Sequence, residues 1–184
     1  MTTTAWIIIG AVAVILIIWV ISVQNRLVQR DEFCNNALKQ INVQQISRYD
    51  ALQALVKLTR EYSSYEADTL QKIVEARKIT SSPAPTAAEI NANESALQEI
   101  SSRLIAVAEA YPELKAGENY KETMQQVKVY EENVRLSRMT YNDTITRYNQ
   151  QVRSFPVSIV AGMLGFSKRD YLAEEVGKKD YPAF

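Results

Sequence analysis

A chain of 184 residues with 47% hydrophobic side chains, 5 Gly and 5 Pro has the size of one ordinary domain plus an accessory segment, and too few chain breakers for a disordered or low-complexity protein. Lys+Arg and Asp+Glu both number 21, so no surplus of positive charge is present to displace counterions from nucleic acid, which is excluded as an expected partner. His is absent and Cys34 is the single Cys, which removes the commonest general acid/base and metal ligand, an intrachain disulfide framework and Cys-rich zinc sites.

From Ala5 to Val23 the chain reads AWIIIGAVAVILIIWVISV, uncharged and apolar but for Ser22. As a helix rising ~1.5 Å per residue it covers roughly 28 Å, close to the ~30 Å hydrocarbon core of a bilayer. Trp6 and Trp19 stand near its two ends, where indole rings favour the headgroup boundary, and are the expected membrane-interface residues. No Lys or Arg precedes the run and no small-x-small site follows it, so the pattern predicts a permanent transmembrane anchor over residues 1–23 rather than a cleaved signal peptide. Arg26, Arg30 and Lys39 follow the span, which orients the N-terminus outside and the body of the protein in the cytoplasm. The span has no ionisable side chains, so residues 24–184 are themselves neutral overall, and polybasic attraction to anionic lipid is not the expected membrane mechanism.

Past the span, Leu27, Cys34, Leu38 and Ile41 share one helical stripe, which continues through Tyr49, Leu52, Val56, Thr59, Leu70 and Ile73. Asp50 with Gln53 has the form of a capping box and predicts a helix boundary near Ser47 to Asp50; one helix unbroken from the membrane to Lys78 is the alternative. Ser81-Ser82-Pro83-Ala84-Pro85 cannot continue a helix, and Thr86 with Glu89 opens a third one with the seam Ile90, Leu97, Ile100, Leu104, Val107 and Tyr111. Pro112 and Gly117 interrupt it. Asn119 with Glu122 then starts a fourth, carrying Tyr120, Met124, Val127, Val134, Tyr141, Ile145, Tyr148, Val152 and Phe155 in the three- and four-residue steps of coiled-coil packing. No strand pattern competes. The expectation is an all-α protein: an N-terminal transmembrane helix, an antiparallel four-helix bundle over residues 24–155, and a C-terminal apolar segment and tail over residues 156–184.

Glu131 and Arg138 interrupt the fourth seam, and Glu66 and Arg77 the second. An unpaired buried charge costs several kcal/mol, so Glu66 and Arg77 are expected to be answered across the core by Arg138, Arg135 or Glu131 as structural ion pairs. Without His, a di-iron bundle site cannot be built. Cys34 is expected to be a buried small hydrophobe. Tyr141-Asn142 and Tyr148-Asn149 repeat seven residues apart, placing both Tyr in the core and both Asn at a hydrogen-bonded rim. With no Gly-rich phosphate loop, nucleophile elbow or metal spacing, neither an enzyme nor a cofactor is expected.

The stretch FPVSIVAGMLGF, Phe155 to Phe166, is uncharged and too short to cross a bilayer. Ile159, Val160, Met163 and Leu164 either fold onto the end of the bundle as a cap, or lie in the headgroup layer, or meet a second copy with close approach at Gly162 and Gly165.

Several motifs now resemble one family. Arg48-Tyr49-Asp50-x-Leu52-x-x-Leu55-Val56 after a membrane span, Glu66, Glu75-Ala76-Arg77, and Tyr111-Pro112-Glu113-Leu114-Lys115-Ala116 are similar to those of LemA proteins. So are Glu132-Asn133, Arg138, Tyr141-Asn142, Tyr148-Asn149, Phe155-Pro156 and Gly165-Phe166. Gln53, Tyr65 and Asn42 depart from the family's usual Pro, His and Asp. The resemblance implies a bacterial membrane-anchored helical bundle without established enzymatic activity. The expected function is therefore a non-enzymatic scaffold at the bacterial cytoplasmic membrane, holding protein partners or copies of itself. The alternative is a small-molecule sensor or enzyme with its site around Glu66, Arg77, Glu131 and Arg138.

Overall fold

A computed structural model describes residues 2–59 and 84–173. Among the described residues all regular structure is helical and no strand occurs. The helices are α1 (Thr2–Thr59), α2 (Ala87–Ala110), α3 (Pro112–Ala116), α4 (Glu118–Arg153) and α5 (Val157–Met163).

α1 is a single helix of 58 residues that runs through Ser47 to Asp50 without a break. This corrects the expected boundary there. No Pro lies in that helix and its one Gly is Gly10, so nothing stops hydrogen bonding at Asp50; a capping-box sequence ends no helix by itself. Ser47 instead donates from its hydroxyl to the Val43 carbonyl at 3.2 Å, inside the helix. Whether the helix extends to Lys78 lies outside the described residues.

The start of α2 follows the expected chemistry. The Thr86 hydroxyl accepts from the Glu89 amide at 3.2 Å, while the Glu89 carboxylate accepts from the Thr86 amide at 2.7 Å and from its hydroxyl at 3.0 Å. The amide and then the hydroxyl of Thr86 hold the Glu89 carboxyl below its ordinary pKa. A depressed folded-state pKa stabilises the fold above the unfolded pKa, and that contribution is lost as pH falls through the folded value. Glu89→Gln should accordingly lower the unfolding midpoint at neutral pH, with the difference from the native chain closing on acidification in a pH series of melts.

α2 ends at Tyr111, whose backbone (φ −124°, ψ 87°) leaves the helix before Pro112 opens α3. Tyr111 is consequently exposed, not on the seam where it was expected. α4 begins at Glu118, so Asn119 lies within the helix and is not its cap; its carbonyl accepts from the Thr123 hydroxyl at 2.8 Å. α4 stops at Arg153, which takes Phe155 off the seam and leaves it 83% exposed. A cis Phe155–Pro156 peptide leads into α5. Gly165 ends α5 at φ +79°, and the Phe166 and Gly165 amides return to the Ala161 and Gly162 carbonyls at 2.9 and 3.4 Å. That is a Schellman closure, for which Gly is favoured because a Cβ is strained at positive φ.

The chain divides into two compact units. The first comprises residues 2–36 and 143–170, and the second the described residues of 37–142 and 171–173. In the first unit Val23, Leu27 and Cys34 of α1 and Ile145, Tyr148 and Val152 of α4 are buried, with Val160 and Ala161 of α5. In the second, one cluster joins Leu52, Leu55 and Val56 of α1 with Leu97, Ile100 and Leu104 of α2, Leu114 of α3 and Val127 of α4. The seams expected from spacing are thus mostly the buried ones; Val107 and Met124 are only half-buried, Tyr111 and Phe155 are exposed, and Leu70 and Ile73 lie outside the described residues. From Asn91 to Glu94 along α2, the neighbouring positions on α4 fall from Arg138 to Glu131, so these two helices run in opposite directions.

Candidate functional site

Three features carry chemistry. The first is the N-terminal part of α1, where every side chain from Thr3 to Ser22 is exposed except Trp19, which is half-buried. Trp6 is 72% exposed, and Ile7, Ile15 and Ile17 are comparably bare. So much apolar surface is unfavourable in water and favourable in hydrocarbon, and the helix is long and apolar enough to cross a membrane. Ser22, the polar exception near the end of the run, donates from its hydroxyl to the Ile18 carbonyl at 2.9 Å and so presents little unsatisfied polarity.

The second feature lies in the first unit. Arg169 donates from Nε and Nη2 to the two oxygens of Asp31, each at 2.8 Å, a bidentate pair. Its guanidinium lies 5.9 Å from the Tyr148 ring centre. Asn149 clamps the Arg169 backbone, donating to its carbonyl and accepting from its amide, both at 2.9 Å. Burial, and then the Asp31 carboxylate, push the Tyr148 hydroxyl above its ordinary pKa. Burial likewise raises the thiol of Cys34, which is fully enclosed as expected. In the second unit Asn142 makes the same two-point clamp on Leu172, at 3.3 and 3.0 Å. The Asn residues of the seven-residue repeat therefore hold the chain segment that follows α5, using a side-chain amide as a substitute peptide group.

The third feature is a polar layer buried in the second unit. Gln45, wholly buried, donates to the Ile90 carbonyl at 3.1 Å and to Glu94 Oε2 at 3.0 Å, and accepts from Asn93 Nδ2 at 2.8 Å. Arg48, also wholly buried, donates to Glu94 Oε1 and lies 3.5 Å from Glu131 Oε2. Both Glu94 oxygens thus accept hydrogen bonds, one from a cation, the arrangement a buried carboxylate requires.

The residues singled out in the sequence are placed as follows. Glu131 reaches Arg48 from a half-open position, with 52% of its side chain exposed. Arg138 is buried and donates to Asn91 Oδ1 at 3.1 Å and to the Ala173 carbonyl at 2.7 Å. These two do not pair with each other, and Arg135 binds Glu132 on its own helix at 2.8 Å. Glu66 and Arg77 lie outside the described residues. Of the apolar C-terminal set, Val160 is buried while Ile159, Met163 and Leu164 are exposed.

Sequence reasoning missed Gln45, Arg48 as a core residue, Asn93 and Glu94. The signal was present as gaps. The seams of α1 and α2 skip a turn between Ile41 and Tyr49 and between Ile90 and Leu97, and the missed residues fill those turns.

Comparison with known proteins gives a match to the LemA family over residues 37–183. The chain is also similar to two magnetosome proteins, MamQ 1 and MamQ 2 of Paramagnetospirillum magneticum (strain AMB-1), each 30% identical over 73 residues, which is 40% of this chain. It spans only 27% of the length of those relatives. The family match takes in the polar layer, both Asn clamps and the Asp31 partner Arg169, and on that extent the chain belongs to the LemA family.

Proposed function

We propose that this protein is a non-enzymatic scaffold, anchored in the bacterial cytoplasmic membrane by residues 1–23, that holds protein partners or copies of itself at the bilayer. The observation that carries this reading is α1 itself: one unbroken helix bare and apolar over its first part and packed over the rest. Arg26, Arg30 and Lys39 after the span favour a cytoplasmic body. The finer architecture in this proposal is an antiparallel four-helix bundle over residues 24–155, with 156–184 as apolar segment and tail. The opposed directions of α2 and α4 support it; of the second helix expected from about Asp50 to Lys78, residues 50–59 belong to α1 and the remainder lies outside the described residues.

Crosslinking of the full chain in native membranes, followed by mass spectrometry, tests the scaffold. Recurrent crosslinks to one partner or to a second copy are the expected result; recovery of monomer alone would overturn it.

A second reading, a small-molecule sensor or enzyme in the bundle core, has one observation in its favour. Among the described residues Arg48 Nε and Arg138 Nη1 are buried without a hydrogen-bond partner, which leaves donors to offer an anion. A rise in melting temperature with small carboxylates or inorganic phosphate, abolished by Arg138→Gln, would favour this reading over the scaffold.

A further inference from the structure

α5 carries two opposed faces. Val160 and Ala161 are buried, whereas Met163 is 82% exposed and Ile159 56%, with Leu164 and the preceding Phe155 also bare. Within one short elbow, half of the apolar surface closes on the first unit and half is left open. Exposed apolar side chains this concentrated mark a contact surface, since scattered single ones would need no account.

The level of the elbow identifies the contact. α1 and α4 run in opposite directions, since Arg48 of α1 lies 3.5 Å from Glu131 of α4 whereas Asp31, earlier along α1, meets a residue later along α4. Tyr148 of α4 stands beside Asp31 of α1. Five residues further, at Arg153, α4 has advanced roughly 8 Å, which is also five residues back along α1, at Arg26. Phe155 and α5 follow at once, so the elbow lies at the level of residues 23–26. That is where the apolar run ends: Val23 is its last residue and is buried, while the side chains from Thr3 to Ser22 are bare except for half-buried Trp19. Arg26, Arg30 and Arg153 are exposed around this level, where guanidinium groups can meet lipid phosphates.

We propose that Phe155, Ile159, Met163 and Leu164 insert into the headgroup–acyl boundary of the bilayer that holds α1, making α5 a second, in-plane membrane contact. The inference rests on the reading of α1 as an anchor. Two contacts, one spanning and one lying flat, fix the tilt and rotation of the body relative to the bilayer, which a single span leaves free.

Spin-label accessibility in the full chain tests this. Phe155→Cys, Ile159→Cys and Met163→Cys are made singly, labelled with a nitroxide and reconstituted in phosphatidylcholine–phosphatidylglycerol vesicles. Ile15→Cys in the span and Met139→Cys on an exposed turn of α4 serve as references. All are exposed positions, so the fold tolerates the label, and Cys34 is enclosed and does not compete for it. The expected result is a ratio of oxygen to nickel-chelate collisions several-fold higher at the three elbow sites than at Met139, and below that at Ile15. Elbow ratios equal to that at Met139, with Ile15 in lipid, would overturn this inference and leave the anchor standing. A water-like ratio at Ile15 would overturn both. Protection from both reagents with spin–spin broadening, relieved by dilution with unlabelled protein, would assign the face to a second copy and overturn the lipid contact.

Discussion

Arg48→Met should destabilise the chain by about 3–5 kcal/mol, because it leaves the Glu94 carboxylate inside the second unit without its cation. The charge cannot escape to water, since Glu94 is nearly enclosed and its other oxygen is held by Gln45. Glu131 offers no relief, being itself acidic and half-exposed. The measurement is denaturant unfolding of the full chain in detergent, read as a fall in midpoint at constant slope. The double variant Arg48→Met/Glu94→Met should recover much of the loss, because two apolar side chains can fill the layer without an uncompensated charge. If the single substitution costs no more than an exposed ion pair, roughly 0–1 kcal/mol, the layer is hydrated and the pair is not a core element.

Leu104→Ala should cost about 2–5 kcal/mol by opening a cavity in the cluster shared by α1, α2, α3 and α4. Leu104 is fully buried, and its neighbours along α2, Ile100 and Ala108, are fixed by the same packing. Val107→Ala provides the comparison within the same helix. Spacing put Val107 on the same seam, yet it is only half-buried, so its truncation should cost clearly less. Equal costs at the two positions would mean that the stripe is wider than the buried cluster implies. A cost near zero at Leu104 would mean that this face of α2 does not pack in the folded protein.

Most of the helical framework was legible in the residues, for reasons that are local. An uncharged run from Ala5 to Val23 can be little else than an apolar helix. The Thr86–Glu89 box, Pro112 and Gly117 act through bonds made or denied within one turn. The seams were legible because burial in helices repeats in three- and four-residue steps, and Leu27, Ile41, Leu97, Leu104, Val134 and Ile145 keep that period. The same local logic failed at Asp50, where a capping-box pattern occurs inside a helix held by packing on both sides of it. It failed again at Phe155, where the period ran on past a helix that had already ended at Arg153.

The helical character of the chain and the apolar character of its N-terminal helix were determined by the sequence alone, because both rest on composition and on spacing along the chain. Which polar residues meet was decided only by tertiary structure. Gln45, Arg48, Asn93 and Glu94 lie on two helices, and their side chains answer one another across a layer that no single helix defines. Arg169 finds Asp31 from far along the chain, and Asn149 finds the backbone of Arg169, because the segment after α5 folds back along α4. Hydrogen bonds and ion pairs act over about 3 Å, so their partners are fixed by where elements pack rather than by how far apart they stand in sequence.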